Sequence, residues 1–318
     1  MGFEIEIILW LQSFRSDFLD SLFEFITMFG EELVIIAILG YLYWSYDKKT
    51  AEKIGITVFI SLVLNAFIKT LVMRERPYVV DSRVAAIRQQ TAGGYSFPSG
   101  HTQGAASIFS SVAIWFKKRW LTVVSIVIIV AVAISRMYLG VHFLSDVIIG
   151  GLLGVGISWA GYKYFSKHEI TNKVYQYVLY GALALGLIFY IITLFTIQAN
   201  ATMSNAENLY DKLESTLVML GTICGFIVGV GFEKKHVNFE QHKVLWKNII
   251  RFVLGVAIVM VVRIGLKAIF GLFIDPEHLE EGQLFLASLA LLFDTLRYFT
   301  MVFIGIGLYP KVFKYINL

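Results

Sequence analysis

The sequence predicts an all-α, polytopic membrane helix bundle of about nine spans, with an amphipathic amino-terminal helix ahead of the first. Composition is the first reason. Of 318 residues 57% are hydrophobic and only 16% charged, against roughly 45–50% and 25% in soluble domains. Mean hydropathy, at +0.71, points the same way. The third reason is punctuation: Pro77, Pro98, Pro276 and Pro310 all fall in or beside polar breaks and leave the apolar runs whole. Backbone in lipid must satisfy its own hydrogen bonds, so those runs are helices.

In chain order, residues 3–14 read as a helix lying in the membrane interface, with Phe3, Ile7, Leu11 and Phe14 along one face. Glu4 and Glu6 stand where a signal peptide would be basic, so no cleavable signal is expected. A span needs about 20 largely apolar residues. Nine runs qualify or nearly so: 31–46, 53–73, 101–116, 120–136, 143–164, 173–197, 215–232, 247–272 and 284–308. The third is short and rich in Ser, Gly and Ala, and hydropathy alone passes it over. The single cysteine, Cys224, excludes an intrachain disulfide and a cysteine metal site. Gly150, Gly151 and Gly154, and then Gly221, Gly225 and Gly229, form small-residue ladders suited to close helix packing.

Loop charge orients the bundle. Alternate breaks carry 16 lysines and arginines on one side and 7 on the other, where the acidic stretch Asp275–Glu281 also lies. The basic side is expected to be cytoplasmic, with the amino terminus outside and the carboxyl terminus inside. A net charge of +4 is small, and no nucleic-acid partner is expected.

Three segments map to the outer side. Lys69 is a cation within an apolar run, costly unless it faces a polar cavity. Arg76 follows two helical turns on, and Pro77 turns the chain out of the helix there. Pro98-Ser99-Gly100-His101 reads as a helix start, where free N–H groups and the dipole favour an anion. Beyond Ser135-Arg136, His142 and Asp146 are spaced i, i+4, which puts both on one face of the fifth helix. The carboxylate can then fix the imidazole tautomer and leave the other nitrogen free to attack. Three cations, Lys69, Arg76 and Arg136, suit a phosphoryl group in transfer. Ser99 and the Gly100 N–H add donors, His142 would attack phosphorus, and His101 would protonate the leaving group. No metal-ligand cluster accompanies them, so neither metal nor other cofactor is expected.

These residues resemble the signature of the type 2 phosphatidic acid phosphatase superfamily. That pattern is Lys-x6-Arg-Pro, then Pro-Ser-Gly-His, then Ser-Arg-x5-His-x3-Asp, and this chain has it without departure in spacing. The resemblance covers roughly residues 20–165. It implies Lys69, Arg76, Ser99, Gly100 and Arg136 as phosphate ligands, His101 as general acid, His142 as nucleophile and Asp146 as its partner. A membrane lipid phosphate or lipid diphosphate is the implied substrate: polyprenyl diphosphate, phosphatidylglycerol phosphate, phosphatidic acid or similar. On this reading residues 1–170 hold the phosphatase core with five spans, in a cytoplasmic membrane, its site on the outer face. Residues 171–318 add four spans that match no motif, a layout resembling glucose-6-phosphatases and sphingosine-phosphate phosphatases. Three alternatives stand beside it: a lipid phosphotransferase, a soluble sugar-phosphate phosphatase with the same site, and a lipid-translocating role for the carboxyl-terminal half.

The last two runs contain Arg263, Lys267, Asp294 and Arg297. Intramembrane charges normally pair. Arg263 and Asp294 fall at a similar depth, roughly 13–15 Å at 1.5 Å per residue, so they are expected to pair. That leaves Lys267 and Arg297 as surplus cations, which would line a cavity for an anionic headgroup.

Overall fold

Helix is the state of every run expected to span, in a computed structural model that describes residues 2–89, 93–199, 206–275 and 283–315. The helices are α1 Gly2–Gln12, α2 Asp17–Thr27, α3 Glu32–Tyr41, α4 Lys48–Val72, α5 Pro77–Val80, α6 Gly100–Phe116 and α7 Arg119–Tyr138. After them come α8 Leu144–Phe165, α9 Asn172–Ala199, α10 Ala206–His236, α11 Leu245–Gly271, α12 Leu284–Phe303 and α13 Pro310–Tyr315. Seven helical stretches are long and apolar enough to cross a membrane, and Glu32–Tyr46 is a shorter apolar one. Most of the acidic stretch Asp275–Glu281 lies outside the described residues.

The chain divides into two compact units, Met1–Ile38 with Lys53–Glu169 and Leu39–Glu52 with Ile170–Leu318. In the first, α6 packs on α7 and α8. Its polar face explains why hydropathy passes it over. Ser107 Oγ donates to Ser61 Oγ at 2.6 Å, Ser111 Oγ to Ser158 Oγ at 3.1 Å, and Gln103 Nε2 to the Ser61 carbonyl at 2.7 Å. Such bonds hold helices together where lipid offers no hydrophobic drive. The glycine ladder of α8 serves contact: a Cβ on Gly150 would stand 2.7 Å from the Ser99 carbonyl oxygen, and one on Gly154 2.6 Å from that of Gln103.

The amino-terminal helix is present, and a face other than the one read toward the membrane interface docks on the protein. Ile5 and Ile8 are buried against Val84, Met137, Phe143 and Val147, while Phe3 and Phe14 are exposed. The helix is apolar nearly all round, so periodicity did not select a face; the Gln12 side chain does. It donates to the Ala85 and Tyr138 carbonyls at 2.8 and 2.9 Å and accepts from Ala85 N at 3.0 Å. Sequence reading also missed α2, which Ser16 caps by accepting from Leu19 N.

In the second unit α10 lies against α12. Gly221 and Gly225 make that approach possible, since a Cβ on either would collide with the Thr295 or Phe299 carbonyl. The acids here are paired. Glu233 takes Lys48 at 3.1 Å and Phe239 N at 2.8 Å, and Glu52 takes Lys234 at 2.6 Å. Asp294 pairs with Arg297 at 2.8 Å, one turn along the same helix, and also accepts from Tyr210. The expected Arg263–Asp294 pair is therefore not formed among the described residues, because an i, i+3 partner needs no second helix to align. Arg297 is thus not a surplus cation, and of the two cations expected to line a headgroup cavity only Lys267 remains one among the described residues.

Candidate active site

All eight residues singled out around the phosphate motif lie in the first unit. Helix α4 carries Lys69 near its end, and the Lys69 Nζ donates to the Tyr95 carbonyl. The helix stops at Val72, earlier than Pro77 alone requires, and Met73 turns left-handed at φ 49°. Arg76 is then extended and buried. Its guanidinium donates to three carbonyls: Gly94 through Nε at 2.9 Å, Gly93 through Nη2 at 2.6 Å and Val141 through Nη1 at 2.9 Å. Nη1 also lies 3.3 Å from His142 Nε2. The loop 78–97 is thus fastened to the site through Gly93 and Gly94. Within it Arg88 pairs with Glu31 at 2.7 Å, while Arg83 stays on the surface with Asp81 and Glu6.

Ser99 caps α6, its Oγ accepting from Thr102 N at 3.4 Å. Its own N–H is spent on the Asp146 carbonyl at 3.0 Å. The next N–H groups, of Gly100 and His101, stand outside the helix ladder. His101 Nε2 is buried without a hydrogen-bond partner, 3.9 Å from Glu31 Oε1. Arg136 is 0% exposed. Its Nη1 donates to Thr27 Oγ1 at 2.9 Å, and its Nε and Nη2 have no partner.

His142 and Asp146 meet, but not along a helix face. Helix α8 begins at Leu144, so His142 precedes it. Asp146 sits in the first turn and folds back, Oδ2 accepting from Phe143 N at 2.9 Å and facing His142 Nδ1 at 3.5 Å. Gly140, at φ +74°, makes the tight turn out of α7 that delivers His142, and a Cβ there would collide with the Ala85 carbonyl. With Nδ1 toward the carboxylate, Nε2 is the nitrogen left on the side of Arg76. Burial, and then the charges of Arg76, Lys69, Arg136 and His101, hold the His142 pKa well below its usual 6.5. The imidazole is neutral and keeps its lone pair.

Sequence reading missed Ser96, whose Oγ donates to Asp146 Oδ2, and Arg74, which pairs with Asp146 Oδ1 at 2.7 Å. It also missed Thr27 and Glu31. Serine beside a proline motif carries no such signal, and Thr27 is 109 residues from its arginine. Among the described residues no carboxylate lies within ion-pair reach of Lys69, Arg76 or Arg136. Two buried guanidiniums, Arg76 and Arg136, and the half-buried Lys69 ammonium, none with a carboxylate partner among the described residues, stand near a neutral imidazole, an arrangement suited to a multiply charged anion.

The chain is similar to proteins of one known family. Residues 51–170 match the PAP2 superfamily, and residues 217–318 match the PAP2 superfamily phosphatase, transmembrane extension. The chain is 32% identical over 179 residues to an undecaprenyl-diphosphatase of Sulfolobus acidocaldarius, covering 54% of this chain and 83% of that one. It is 25% identical over 146 residues to a lipid A 4'-phosphatase of Bacteroides thetaiotaomicron, covering 44% of this chain and 64% of that relative's length. Among solved structures, a transmembrane PAP2-type phosphatidylglycerolphosphate phosphatase of Bacillus subtilis aligns at a TM-score of 0.46 with 25% identity. That alignment covers 53% of this chain and 87% of the other.

Proposed function

This chain belongs to the PAP2 superfamily, as one of its membrane phosphatases, and from that premise we propose that it hydrolyses a lipid-linked phosphate or diphosphate through a phosphohistidine intermediate. The observation that carries the reading is the uncompensated charge of Lys69, Arg76 and Arg136, with Arg76 Nη1 3.3 Å from His142 Nε2 and two guanidinium nitrogens of Arg136 still unbonded. Burying a cation without a partner is costly, and a bound phosphoryl group would cancel that cost.

In this reading the His142 Nε2 lone pair attacks phosphorus, the P–O bond to the lipid breaks, and His101 gives the leaving oxygen its proton. Asp146 stabilises the imidazolium that forms, through Nδ1–H. The three cations, with the N–H groups at the start of α6, stabilise the equatorial oxygens. Water then attacks the phosphohistidine, His101 takes its proton, and the P–N bond breaks to release inorganic phosphate.

The substrate class follows from the relatives' names, which share a phosphoryl group on a lipid. The split of 16 basic residues against 7 supports a site on the outer face of a cytoplasmic membrane. Phosphate release across polyprenyl diphosphate, phosphatidylglycerol phosphate, phosphatidic acid, a lipid A 4'-phosphate and glucose 6-phosphate tests the assignment, with His142→Ala as background. Release from a lipid is expected, undiminished in EDTA and lost in the variant. Faster release from glucose 6-phosphate, or loss in chelator that divalent metal restores, would overturn it.

A further inference from the structure

The carboxylate behind His142 is held by a chain of contacts that no phosphate motif contains, and it ends on the amino-terminal helix. Arg74 lies two residues before Arg76, yet its charge is not offered to the cavity. Its guanidinium stacks over the Phe143 ring at 3.8 Å. Nη1 donates to Asp146 Oδ1 at 2.7 Å and to Ser145 Oγ at 2.6 Å, and Nη2 to Glu4 Oε2 at 2.8 Å. The other oxygen of Glu4 accepts from Ser145 N at 2.7 Å, in the first turn of α8, where a carboxylate also meets the positive end of the helix. The Arg74 carbonyl accepts from Ser96 N at 2.8 Å, and Ser96 Oγ donates to Asp146 Oδ2. Both oxygens of Asp146 are therefore set by groups tied to Arg74.

We propose that Arg74 and Glu4 are positioning residues for the Asp146–His142 pair, so that the seating of α1 governs turnover. This rests on the reading of His142 as nucleophile. His142 Nδ1 stands 3.5 Å from Asp146 Oδ2, a loose contact that tightens only as the imidazole gains charge. Asp146 is wholly buried, and without Arg74 its Oδ1 loses its only charged partner among the described residues. Oδ2 keeps its bonds to Phe143 N and Ser96 Oγ, but nothing charged then fixes the carboxylate plane that faces the nucleophile. Helix α1 is placed to transmit the membrane surface, since Phe3 and Trp10, two turns apart on one face, are exposed while Ile5 and Ile8 are buried.

The test uses the full chain in lipid vesicles, with the lipid of the panel that it turns over and inorganic phosphate as competing probe. Arg74→Met should lower kcat about 100-fold while KM and the inhibition constant of phosphate stay within about threefold, because the reacting groups are misplaced and the phosphate cations are untouched. Arg74→Lys should fall between, since one ammonium cannot reproduce a fork that spans two carboxylates. Glu4→Gln should lower kcat about 10-fold by the same route. A phosphate inhibition constant that rises with kcat unchanged would make Arg74 a phosphate ligand and overturn the proposal. Unchanged kcat in both Arg74→Lys and Glu4→Gln would also overturn it, and those two decide the matter if Arg74→Met does not fold. Full activity in His142→Ala would instead sink the nucleophile assignment, a result separable from both.

Discussion

The buried acids of one unit and the motif cations of the other are treated in different ways. In residues 39–52 and 170–318 the buried acids are matched: Glu233 with Lys48, Glu52 with Lys234, Asp294 with Arg297. In residues 1–38 and 53–169 three cations, the half-buried Lys69 and the buried Arg76 and Arg136, bond among the described residues only to carbonyls, a ring nitrogen and a hydroxyl. Matched charge in an apolar setting stabilises a particular helix pairing. Unmatched charge of one sign is retained at a cost to folding, and under the proposed function an anion offsets that cost. Charge content alone does not separate the two regions; the partners do.

Removing a charge from each side gives the sharpest contrast. Arg136→Met should cut turnover by about 10³-fold, the scale of an arginine lost from phosphoryl transfer. Its melting temperature should hold or rise, because an uncompensated buried cation has gone. Asp294→Asn should do the reverse, lowering stability by about 3 kcal/mol by stranding Arg297, with kcat retained. Phosphate-release kinetics and thermal unfolding of the two variants check this. A stability loss in Arg136→Met equal to that of Asp294→Asn would erase the distinction.

A gentler comparison uses the glycine ladders. Gly150→Ala and Gly221→Ala each force a methyl against a backbone carbonyl, of Ser99 and Thr295 respectively. Both should lose about 1–3 kcal/mol. Only Gly150→Ala should also slow turnover, because Ser99 begins the helix that carries His101.

The smallest expected effect is on pH. His142 has its pKa depressed in the folded chain, so the imidazole stays neutral as pH falls through 6.5. The profile of kcat/KM should show no acid limb from His142 near 6.5, but one displaced to lower pH. The unfolded chain does take up that proton, so stability should decline as pH falls below 6.5 and be full above it.

Much of the first unit was legible in the sequence, and the reasons differ residue by residue. Lys69, Arg76, Ser99, Gly100, His101, Arg136, His142 and Asp146 come together because each lies at or near a helix end, where spacing fixes position. The helix-face argument for His142 and Asp146 gave the right neighbours through the wrong geometry, since the capping turn rather than α8 joins them. Arg74, Glu4, Ser96, Thr27 and Glu31 were hidden because their contacts are long-range: Glu4 meets Ser145 across 141 positions. The seven long spans read easily from apolarity, and α6 was found only through its motif. Helix α2 was overlooked because its 11 residues are too few and too polar to register as a span. Asp294 was assigned to Arg263 on depth, and the nearer Arg297 on its own helix won.

The claim beneath all of this is that His142 accepts the phosphoryl group, and trapping the phosphoenzyme tests it most directly. His101→Ala, given a lipid phosphate with a good leaving group and quenched early, should accumulate phosphate on the chain that is labile in acid and stable in alkali. The label should map to the peptide containing His142 and be absent from the His101→Ala, His142→Ala double variant. An acid-stable label, or one that persists when His142 is gone, would contradict the account.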